Sequence, residues 1–410
     1  MSKFISILLF ILIFFLSFAS ISHAEIESYI WSQALTDVSL DLSANTNGAS
    51  SNKSNLNLNC GSCILIEQNS GKVLYEQNCH EQLRPASVTK VMSLLLIMEA
   101  VDSGKIALTD KIPCSENAAS MGGSQIWLDV REELTVDEML KAICVSSAND
   151  CTVAMAEYIA GSTDAFVEKM NARAKELGMN DTYFKNCHGL DTDGHVTSSY
   201  DIALMSRELL LNHPNITKYT TIWMDTLRDG KSQLTNTNKL IRNYKGATGL
   251  KTGSTSLALY NLSASATRDD LSLIAVIMKA PTAPIRFSEA QKLLDYGFSN
   301  FSYEEFAVKG SKLKSINVNK GVSSTLNCIY ESNAGTILEK GSSKNIEEIV
   351  NVPSSVFAPI NKGDKIGEIS YVLDSKEISK VNIIADEDIK KISLNNMFDK
   401  LFFDWFKILR

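Results

Sequence analysis

The chain has 410 residues, of which 44% are hydrophobic and 21% are charged, and its formal net charge is -7. This length is sufficient for the cores of two or three domains. The mildly acidic balance argues against a nucleic-acid partner, because such partners bind basic surfaces.

The first residues have the pattern of an export signal. Lys3 precedes the apolar run Phe4–Phe18, and Ser22 and Ala24 put small residues at the two positions that a signal peptidase reads. An uncleaved membrane anchor is the alternative, but the small-residue site favours cleavage after Ala24 and so a signal peptide over residues 1–24. We therefore predict an exported protein. Its flexible lead-in would cover residues 25–58, which lack a sustained apolar period.

All eight cysteines follow that cleavage site. They stand at positions 60, 63, 79, 114, 144, 151, 187 and 328. Cys60 and Cys63 have the spacing of a redox pair, but no βαβ context surrounds them and no second pair completes a zinc site. Isolated thiols, or one or two disulfides, remain open. Cys144 and Cys151 are expected to be buried packing residues.

A β-hairpin is predicted to lead the chain toward Ser87. Ser62–Glu67 and Val73–Tyr75 are short apolar stretches on either side of a turn rich in Asn, Ser and Gly. A helix is then expected from Ser87 to Gly104, because Val91–Ala100 is an apolar run and the glycine ends it.

Ser87 and Lys90 stand three residues apart at the start of that helix, so their side chains share one face. A serine hydroxyl needs an adjacent base, and a lysine serves as one only where burial or a second cation lowers its pKa. The helix N-terminus would add partial positive charge where negative charge develops. Taken alone, Ser-x-x-Lys is much more typical of a helix start with a solvated lysine than of a catalytic pair.

A second polar pair, Ser147 and Asn149, lies between two helical stretches. Thr135–Ala142 is predicted to be the first of these helices, capped by Thr135 and carrying acidic residues in its first turn. Ser-x-Asn carries little information by itself, so the pair matters only in combination with other motifs.

The third polar group is Lys251-Thr252-Gly253. Two predicted strands, Leu257–Ala266 and Leu271–Lys279, follow it, so we expect it on the strand before them. A lysine and a threonine at a sheet edge, followed by glycine, leave room for a substrate backbone to pair alongside.

The polar loop His188–His195 allows two readings. Its Asp-x-Asp-Gly resembles part of a calcium loop, but the other ligands of an EF-hand are missing. Its two histidines could bind a metal, but no HExxH motif or cysteine cluster accompanies them. We interpret it as a structural loop and predict no metal. The amphipathic stretch Tyr200–Leu211 then predicts a helix that ends before His213.

Together, Ser87-x-x-Lys90, Ser147-x-Asn149 and Lys251-Thr252-Gly253 form the triple of β-lactamases and penicillin-binding proteins. Between about Cys60 and Phe301 the chain resembles the D-alanyl-D-alanine carboxypeptidases, which are low-molecular-mass penicillin-binding proteins. The matching strings are Arg84–Lys90, Ser147–Asp150, His188–Asp191 with Asp193-Gly194, Gly249–Gly253 and Glu289–Phe298.

The resemblance implies an α/β (α+β) catalytic domain over residues 59–301. Its fold would be that of the penicillin-binding proteins and β-lactamases. An antiparallel sheet would lie between helical layers, with the site at the sheet edge.

The resemblance also implies catalysis without a metal or organic cofactor. Ser87 would attack the carbonyl between the two terminal D-alanines of a peptidoglycan stem peptide. Lys90 would take the serine proton, and Ser147 would help pass a proton to the leaving D-alanine. Backbone N–H groups of Ser87 and Ser254 would form the oxyanion hole. Water would then release the acyl group, and β-lactam antibiotics would acylate the same serine.

Six residues would bind the substrate by the same resemblance. They are Asn149, Lys251, Thr252, Gly253, Ser254 and Thr255. Asn149 would hold the peptide backbone or Lys90, and Lys251 would keep Lys90 neutral while attracting the substrate carboxylate. Thr252 and Thr255 would hydrogen-bond that carboxylate.

The chain departs from the family pattern at three places. Relatives often have Asp at the position of Thr248 and an aromatic residue or His at that of Ser254, and some place an arginine where this chain has Asn236–Asn238. These differences leave the acyl-enzyme chemistry intact. They leave the details of carboxylate recognition and turnover open.

Two rival functions are considered. A serine β-lactamase needs a glutamate to activate the deacylating water, and Glu208 begins a candidate string. That residue falls inside a predicted helix instead of a loop, so we interpret the match as a coincidence and expect penicillin to inhibit. A sensor without turnover, or a structural wall protein, is the other rival, and the retention of all three motifs argues against it.

Beyond Phe301 the pattern changes. Short apolar runs alternate with turn residues over residues 303–387, which predicts a small β-rich domain with a spacing or partner-binding role. Residues 390–410 carry eight large apolar side chains at helical spacing, with Trp and Phe prominent. This pattern favours a helix lying in the membrane interface over one packed on its own β domain. We therefore expect the protein on the outer face of the cytoplasmic membrane.

Overall fold

The computed structural model describes residues 56–342 and 345–393. The predicted signal peptide and nearly all of the predicted lead-in and C-terminal helix lie outside these residues. Leu58, assigned above to the flexible lead-in, is instead buried in a core cluster, and Leu56 packs against the same cluster. Two leucines in a polar stretch are too short a pattern to predict this burial. Among the described residues, no helix has both the length and the apolar character needed to cross a membrane.

The helices and strands of the described residues follow in chain order. The strands are β1 (Ser62–Glu67), β2 (Val73–Gln77), β3 (Lys111–Pro113), β4 (Glu133–Thr135), β5 (Met224–Leu227), β6 (Ser232–Thr235), β7 (Ala247–Thr255), β8 (Leu259–Arg268), β9 (Leu271–Ala280), β10 (Phe301–Ala307), β11 (Lys312–Asn319), β12 (Thr325–Tyr330), β13 (Ala334–Glu339), β14 (Ile346–Asn351), β15 (Ser355–Phe357), β16 (Lys365–Leu373) and β17 (Lys376–Ala385). The α-helices are α1 (Lys90–Asp102), α2 (Glu116–Ala119), α3 (Val136–Ser146), α4 (Asn149–Ala160), α5 (Thr163–Glu176), α6 (Ser199–Asn212), α7 (Thr217–Thr220), α8 (Leu240–Asn243) and α9 (Ala283–Asn300).

The predicted catalytic domain (residues 59–301), called the catalytic part, is built on a five-stranded antiparallel sheet in the order β2-β1-β9-β8-β7. The predicted hairpin is β1–β2, and the two strands predicted after the lysine motif are β8 and β9. Both are buried along most of their length, because helices cover the two faces of the sheet. The predicted antiparallel sheet between helical layers is confirmed.

Helix α1 lies at the centre of the larger helical layer. Its residues from Val91 to Met98 are all buried, because a helix that is apolar all round must be covered on every side. The other layer is α9, which begins at the Thr282 cap with a proline in its first turn and packs Leu293 and Leu294 on the sheet. The sheet is thereby fixed from both sides.

The C-terminal part is β-rich, as predicted. A six-stranded sheet runs in the order β14-β16-β17-β12-β11-β15, and β10 pairs with β13. Hydrogen bonds to backbone carbonyls connect the C-terminal part with the catalytic part. Lys72 Nζ donates to the Ile337 carbonyl (3.0 Å), and the Lys340 N–H donates to the Asn300 carbonyl (2.8 Å).

Candidate active site

Ser87 lies in a 3-10 turn, Ala86–Thr89, at the start of α1. Ala86 has a left-handed φ of +48°. Thr89 Oγ1 donates to the Ala86 carbonyl oxygen (2.8 Å), and a Cβ on Gly189 would stand 1.9 Å from that same oxygen. Glycine is therefore required at 189, and the loop that carries it packs directly against the Ser87 turn.

The edge strand β7 meets this turn from another side. A Cβ on Gly253 would lie 2.8 Å from the Pro85 carbonyl oxygen and 2.9 Å from the Ser87 nitrogen. The glycine of the Lys251-Thr252-Gly253 motif thus permits the close approach. The predicted sheet-edge position is confirmed, because β7 has β8 as its one partner in the five-stranded sheet.

Lys90 is fully buried and reaches three oxygen atoms. Its Nζ lies 3.1 Å from Ser87 Oγ, 2.6 Å from Asn149 Oδ1 and 2.7 Å from the His188 carbonyl oxygen. Two of the three sequence motifs therefore converge on one amine.

The environment of Lys90 favours the neutral amine. Burial lowers the pKa of Lys90 well below its usual value, and the charge of Lys251 lowers it further. A neutral amine has two N–H donors and one lone pair. The donors match Asn149 Oδ1 and the His188 carbonyl, which leaves the lone pair facing the Ser87 hydroxyl. Lys90 can therefore take the Ser87 proton as a general base.

Asn149 is oriented by the segment that follows α2. Its Nδ2 donates to the Gly122 carbonyl (2.7 Å), so its Oδ1 must be the atom that faces Lys90. Its backbone N–H donates to the Ser124 carbonyl (2.7 Å). The side chain is thus fixed at both ends and holds the Lys90 amine in place.

Ser147 follows α3, the helix predicted to be capped by Thr135. The cap is confirmed as a capping box in which Thr135 Oγ1 accepts from the Glu138 N–H (3.2 Å) and the Glu138 carboxylate accepts from the Thr135 N–H (2.8 Å). Ser147 itself is left-handed at φ +63° and only 3% exposed. Its Oγ has no hydrogen-bond partner among the described residues. The hydroxyl is therefore available to a bound group.

Lys251 is the second buried lysine. Its Nζ donates to the Thr252 carbonyl (3.0 Å), and burial lowers the pKa of Lys251 to about 7. Thr252 Oγ1 donates to Thr237 Oγ1 (2.7 Å), so a threonine hydroxyl occupies the region where some relatives carry arginine. The site therefore holds two lysines, and a positive charge on one disfavours a positive charge on the other.

Ser254 and Thr255 complete β7. Ser254 is exposed at the open edge of the sheet. Thr255 Oγ1 accepts from the Ala258 N–H (2.9 Å) and so closes the turn into β8, while its own proton remains available to donate. All nine residues predicted for the site lie on the Ser87 turn, α1, the α3–α4 junction and the end of β7.

Sequence reasoning missed the part played by the His188 loop. The predicted structural role holds, because Gly189 packs against the Ser87 turn, but the loop is also part of the site, because the His188 carbonyl accepts from Lys90. The motif string was visible, but a carbonyl oxygen belongs to every residue, so no sequence signal marks this one as a ligand. Among the described residues, no group of three or more His, Cys, Asp or Glu side chains could hold a metal ion.

Glu208, the candidate for a β-lactamase glutamate, lies on α6 within the helix predicted for it. Its carboxylate pairs with Arg173 (2.6 Å), which also pairs with Glu99 near the C-terminal end of α1 (2.7 Å). Ser87 precedes the N-terminal end of α1, and twelve residues of helix span about 18 Å. Glu208 is therefore held at the opposite end of α1 from the nucleophile.

The cysteines are all free thiols in the structure, and each of them except Cys60 is buried. Cys144 and Cys151 pack in the helical core, as predicted. Burial raises the pKa of Cys144 to about 12, which makes its thiol unreactive. Cys144 and Cys151 thus contribute packing to the helical core.

Comparisons with known proteins agree with this geometry. A family model for D-alanyl-D-alanine carboxypeptidase matches residues 48–282, and one for the C-terminal domain of penicillin-binding protein 5 matches residues 301–391. The chain is 42% identical to the D-alanyl-D-alanine carboxypeptidase DacF of Bacillus subtilis over 350 residues, which cover 84% of this chain and 90% of that protein.

Solved structures show the same likeness. Penicillin-binding protein 5 from Haemophilus influenzae is 30% identical with a TM-score of 0.69, covering 82% of this chain and 98% of that one. Ampicillin-bound penicillin-binding protein D2 from Listeria monocytogenes is 31% identical with a TM-score of 0.55, covering 60% of this chain and 99% of that one. The chain therefore belongs to the D-alanyl-D-alanine carboxypeptidase family of serine peptidases.

Proposed function

We propose that Ser87 is the nucleophile that removes the terminal D-alanine from peptidoglycan pentapeptide stems. The observation that carries this is the Lys90 amine, which is fully buried, lies 3.1 Å from Ser87 Oγ and directs its two N–H groups at acceptors. The names of the relatives and the ampicillin-bound neighbour support the substrate and the antibiotic.

The first half of the reaction forms the acyl-enzyme. Ser87 Oγ attacks the carbonyl carbon between the two D-alanines as Lys90 accepts its proton. The N–H groups of Ser87 and Ser254 stabilise the oxyanion, and losing one such donor typically costs about 3 to 4 kcal/mol of barrier. As the C–N bond breaks, Lys90 gives up the proton taken from Ser87 through Ser147, whose hydroxyl has no other partner among the described residues, to the departing D-alanine nitrogen.

The remaining residues bind and orient the stem peptide. Lys251 supplies positive charge to the terminal carboxylate, and Thr255 donates its hydroxyl proton to it. Thr252 donates to the same carboxylate once its hydroxyl has turned away from Thr237 Oγ1. Gly253 lets the peptide backbone run alongside β7, and Asn149 holds Lys90. A water molecule then attacks the ester on Ser87, with the neutral Lys90 again the nearest base. Because Glu208, the candidate for the β-lactamase role, pairs with Arg173 at the opposite end of α1 from Ser87, a penicilloyl ester is expected to persist.

The experiment is intact-mass measurement after benzylpenicillin, with D-alanine release from diacetyl-Lys-D-Ala-D-Ala measured in parallel. A stable adduct on Ser87 together with D-alanine release is the expected result. Rapid loss of the adduct with penicillin hydrolysis would instead show a β-lactamase. An adduct without D-alanine release would show a sensor, and no adduct would overturn the assignment of Ser87.

The proposal includes export and attachment to the outer face of the cytoplasmic membrane. The apolar run within residues 1–24 supports export. The amphipathic pattern of residues 390–410 supports attachment to the membrane. Deletion of residues 394–410 is expected to move the protein from the membrane fraction to the soluble fraction while penicillin binding continues. A truncated protein that still sediments with membranes would contradict the anchor.

A further inference from the structure

Arg286 is a buried cation that the mechanism above does not use. It lies in the first turn of α9 and is 6% exposed. Its neighbour Glu289, one turn later, pairs with Lys292 (2.9 Å), and within residues 56–342 and 345–393 no carboxylate forms an ion pair with Arg286. An unpaired buried charge is costly, so this guanidinium must be held by other contacts.

Those contacts lead to the edge of the active site. Arg286 Nη1 donates to the carbonyl oxygens of Gly253 and Asn261 (3.2 Å each), which face each other across β7 and β8. The guanidinium also lies 4.6 Å from the centre of the Phe287 ring. Its Nε is buried without a partner among the described residues. The contacts place its charge directly behind the Gly253 carbonyl.

The Gly253 carbonyl and the Ser254 N–H belong to one planar trans peptide unit, so the two bonds point in opposite directions. A donor fixed on the carbonyl side therefore fixes the direction of the Ser254 N–H on the other side. That side is the open edge of β7, where Gly253 lies against the Ser87 nitrogen.

We propose that Arg286 is a positioning residue that polarises the Gly253–Ser254 peptide and thereby strengthens the Ser254 N–H as an oxyanion-hole donor. This rests on the function proposed above for Ser87. A cationic donor draws electron density toward the carbonyl oxygen, and hydrogen bonds that share one polarised group reinforce each other. The effect is largest in a buried site, where water does not screen the charge.

The simpler alternative is that Arg286 only stabilises the packing of α9 on the sheet. Removing such a contact lowers the free energy of unfolding. It does not change the strength of the hydrogen bonds that an acyl carbonyl receives in molecules that remain folded. The stretching frequency of that carbonyl therefore distinguishes the two roles.

The test is an infrared difference spectrum of the acyl-enzyme, formed by the full chain in detergent with benzylpenicillin carrying ¹³C at the lactam carbonyl. In Arg286→Met we expect the ester carbonyl band at higher wavenumber than in the unmodified protein, because its hydrogen bonds are weaker. The acylation rate should fall about tenfold, which is less than the loss of a whole donor causes. Arg286→Lys keeps a cation and should fall between the two in both measurements.

Arg268→Met is the matched control. Arg268 also stacks on an aromatic ring, 4.4 Å from Tyr244, and donates to the Lys245 carbonyl (3.1 Å), but it lies at the other end of β8. The Arg268→Met substitution should leave the ester carbonyl band and the acylation rate unchanged.

An unshifted band in both Arg286 variants would overturn the proposal and leave Arg286 with a purely structural role in packing α9 on the sheet. If Arg286→Met does not fold, the band of Arg286→Lys decides the question. A complete absence of adduct in the unmodified protein would refute the proposed function itself, so the two failures can be told apart.

Discussion

The catalytic part and the C-terminal β part differ in what they bury. Among the described residues, every buried polar or charged side chain lies between Ser62 and Glu289, including two lysines and Arg286. The core of the C-terminal part is apolar apart from the hydroxyl of Tyr371, which bonds a backbone carbonyl. Buried charge costs free energy that apolar burial does not. The difference therefore places the free-energy cost of buried charge in the part of the chain that contains the active site.

The comparison gives predictions of decreasing effect on the acylation of Ser87. The largest concerns the buried amine itself. Replacing Lys90 by Met removes the general base, and such bases typically contribute 10²- to 10⁴-fold, so the rate of penicillin acylation should fall by about a thousandfold. Stopped-flow measurement with a fluorescent penicillin gives the rate.

Lys105→Met is the control for Lys90→Met. Lys105 also donates to a backbone carbonyl, that of Ile159 (2.8 Å), but it follows the far end of α1. Its removal should leave the rate unchanged. Acylation of Lys90→Met at the rate of the unmodified protein would show that another group takes the proton.

The second prediction concerns Gly189, which packs against the Ser87 turn. Gly189 has φ +92°, and a Cβ there would meet the Ala86 carbonyl oxygen, so Gly189→Ala must displace the turn. A displacement near 1 Å can cost about a hundredfold in rate, and we expect a loss of that order. Gly178→Ala is the control, because Gly178 has φ +73° but open space around it. If Gly189→Ala acylates Ser87 as fast as Gly178→Ala does, the contact of residue 189 with the Ala86 carbonyl does not affect the acylation rate.

The third prediction is a pH dependence. With a pKa of about 7, Lys251 is charged below that pH and neutral above it. Because its charge attracts the substrate carboxylate, kcat/KM for D-alanine release should fall through one ionisation as pH rises above about 7. Burial lowers the pKa of Lys90 well below its usual value, which favours the neutral amine that acts as the base. In Lys251→Arg the charge persists at all these pH values, so the alkaline decline should disappear. An unmodified protein with constant kcat/KM up to pH 9 would contradict this role.

The smallest effect on acylation is expected from the C-terminal core. Tyr371 stacks on Phe306 with ring centres 4.5 Å apart, and its hydroxyl donates to the Phe306 carbonyl (3.2 Å). Tyr371→Ala should lower the free energy of unfolding of this part by about 3 to 5 kcal/mol. Denaturant unfolding measures the loss, with the half-exposed Tyr183→Ala as control. The acylation rate should stay unchanged, and a parallel fall would show that the C-terminal part shapes the site.

Much of the fold could be predicted because the signals are local. The α3 cap depends on Thr135 and Glu138, three residues apart, and the β1–β2 hairpin on two apolar runs around a turn. The missed features are non-local. Gly122 and His188 act through backbone carbonyls, and Arg286 acts from a helix that follows β9. Nothing in their own sequence surroundings shows which atoms they contact.

The sequence by itself determined that Ser87 and Lys90 share one helical face and that the three motifs occur together in one chain. Only the tertiary structure decided that Lys90 is buried, that it meets Asn149 and His188, and that Lys251 lies near enough to lower its pKa further. The physical reason is that a lysine's proton affinity depends on the solvent and charges around it. Those surroundings are contributed by segments that come together only when the chain folds.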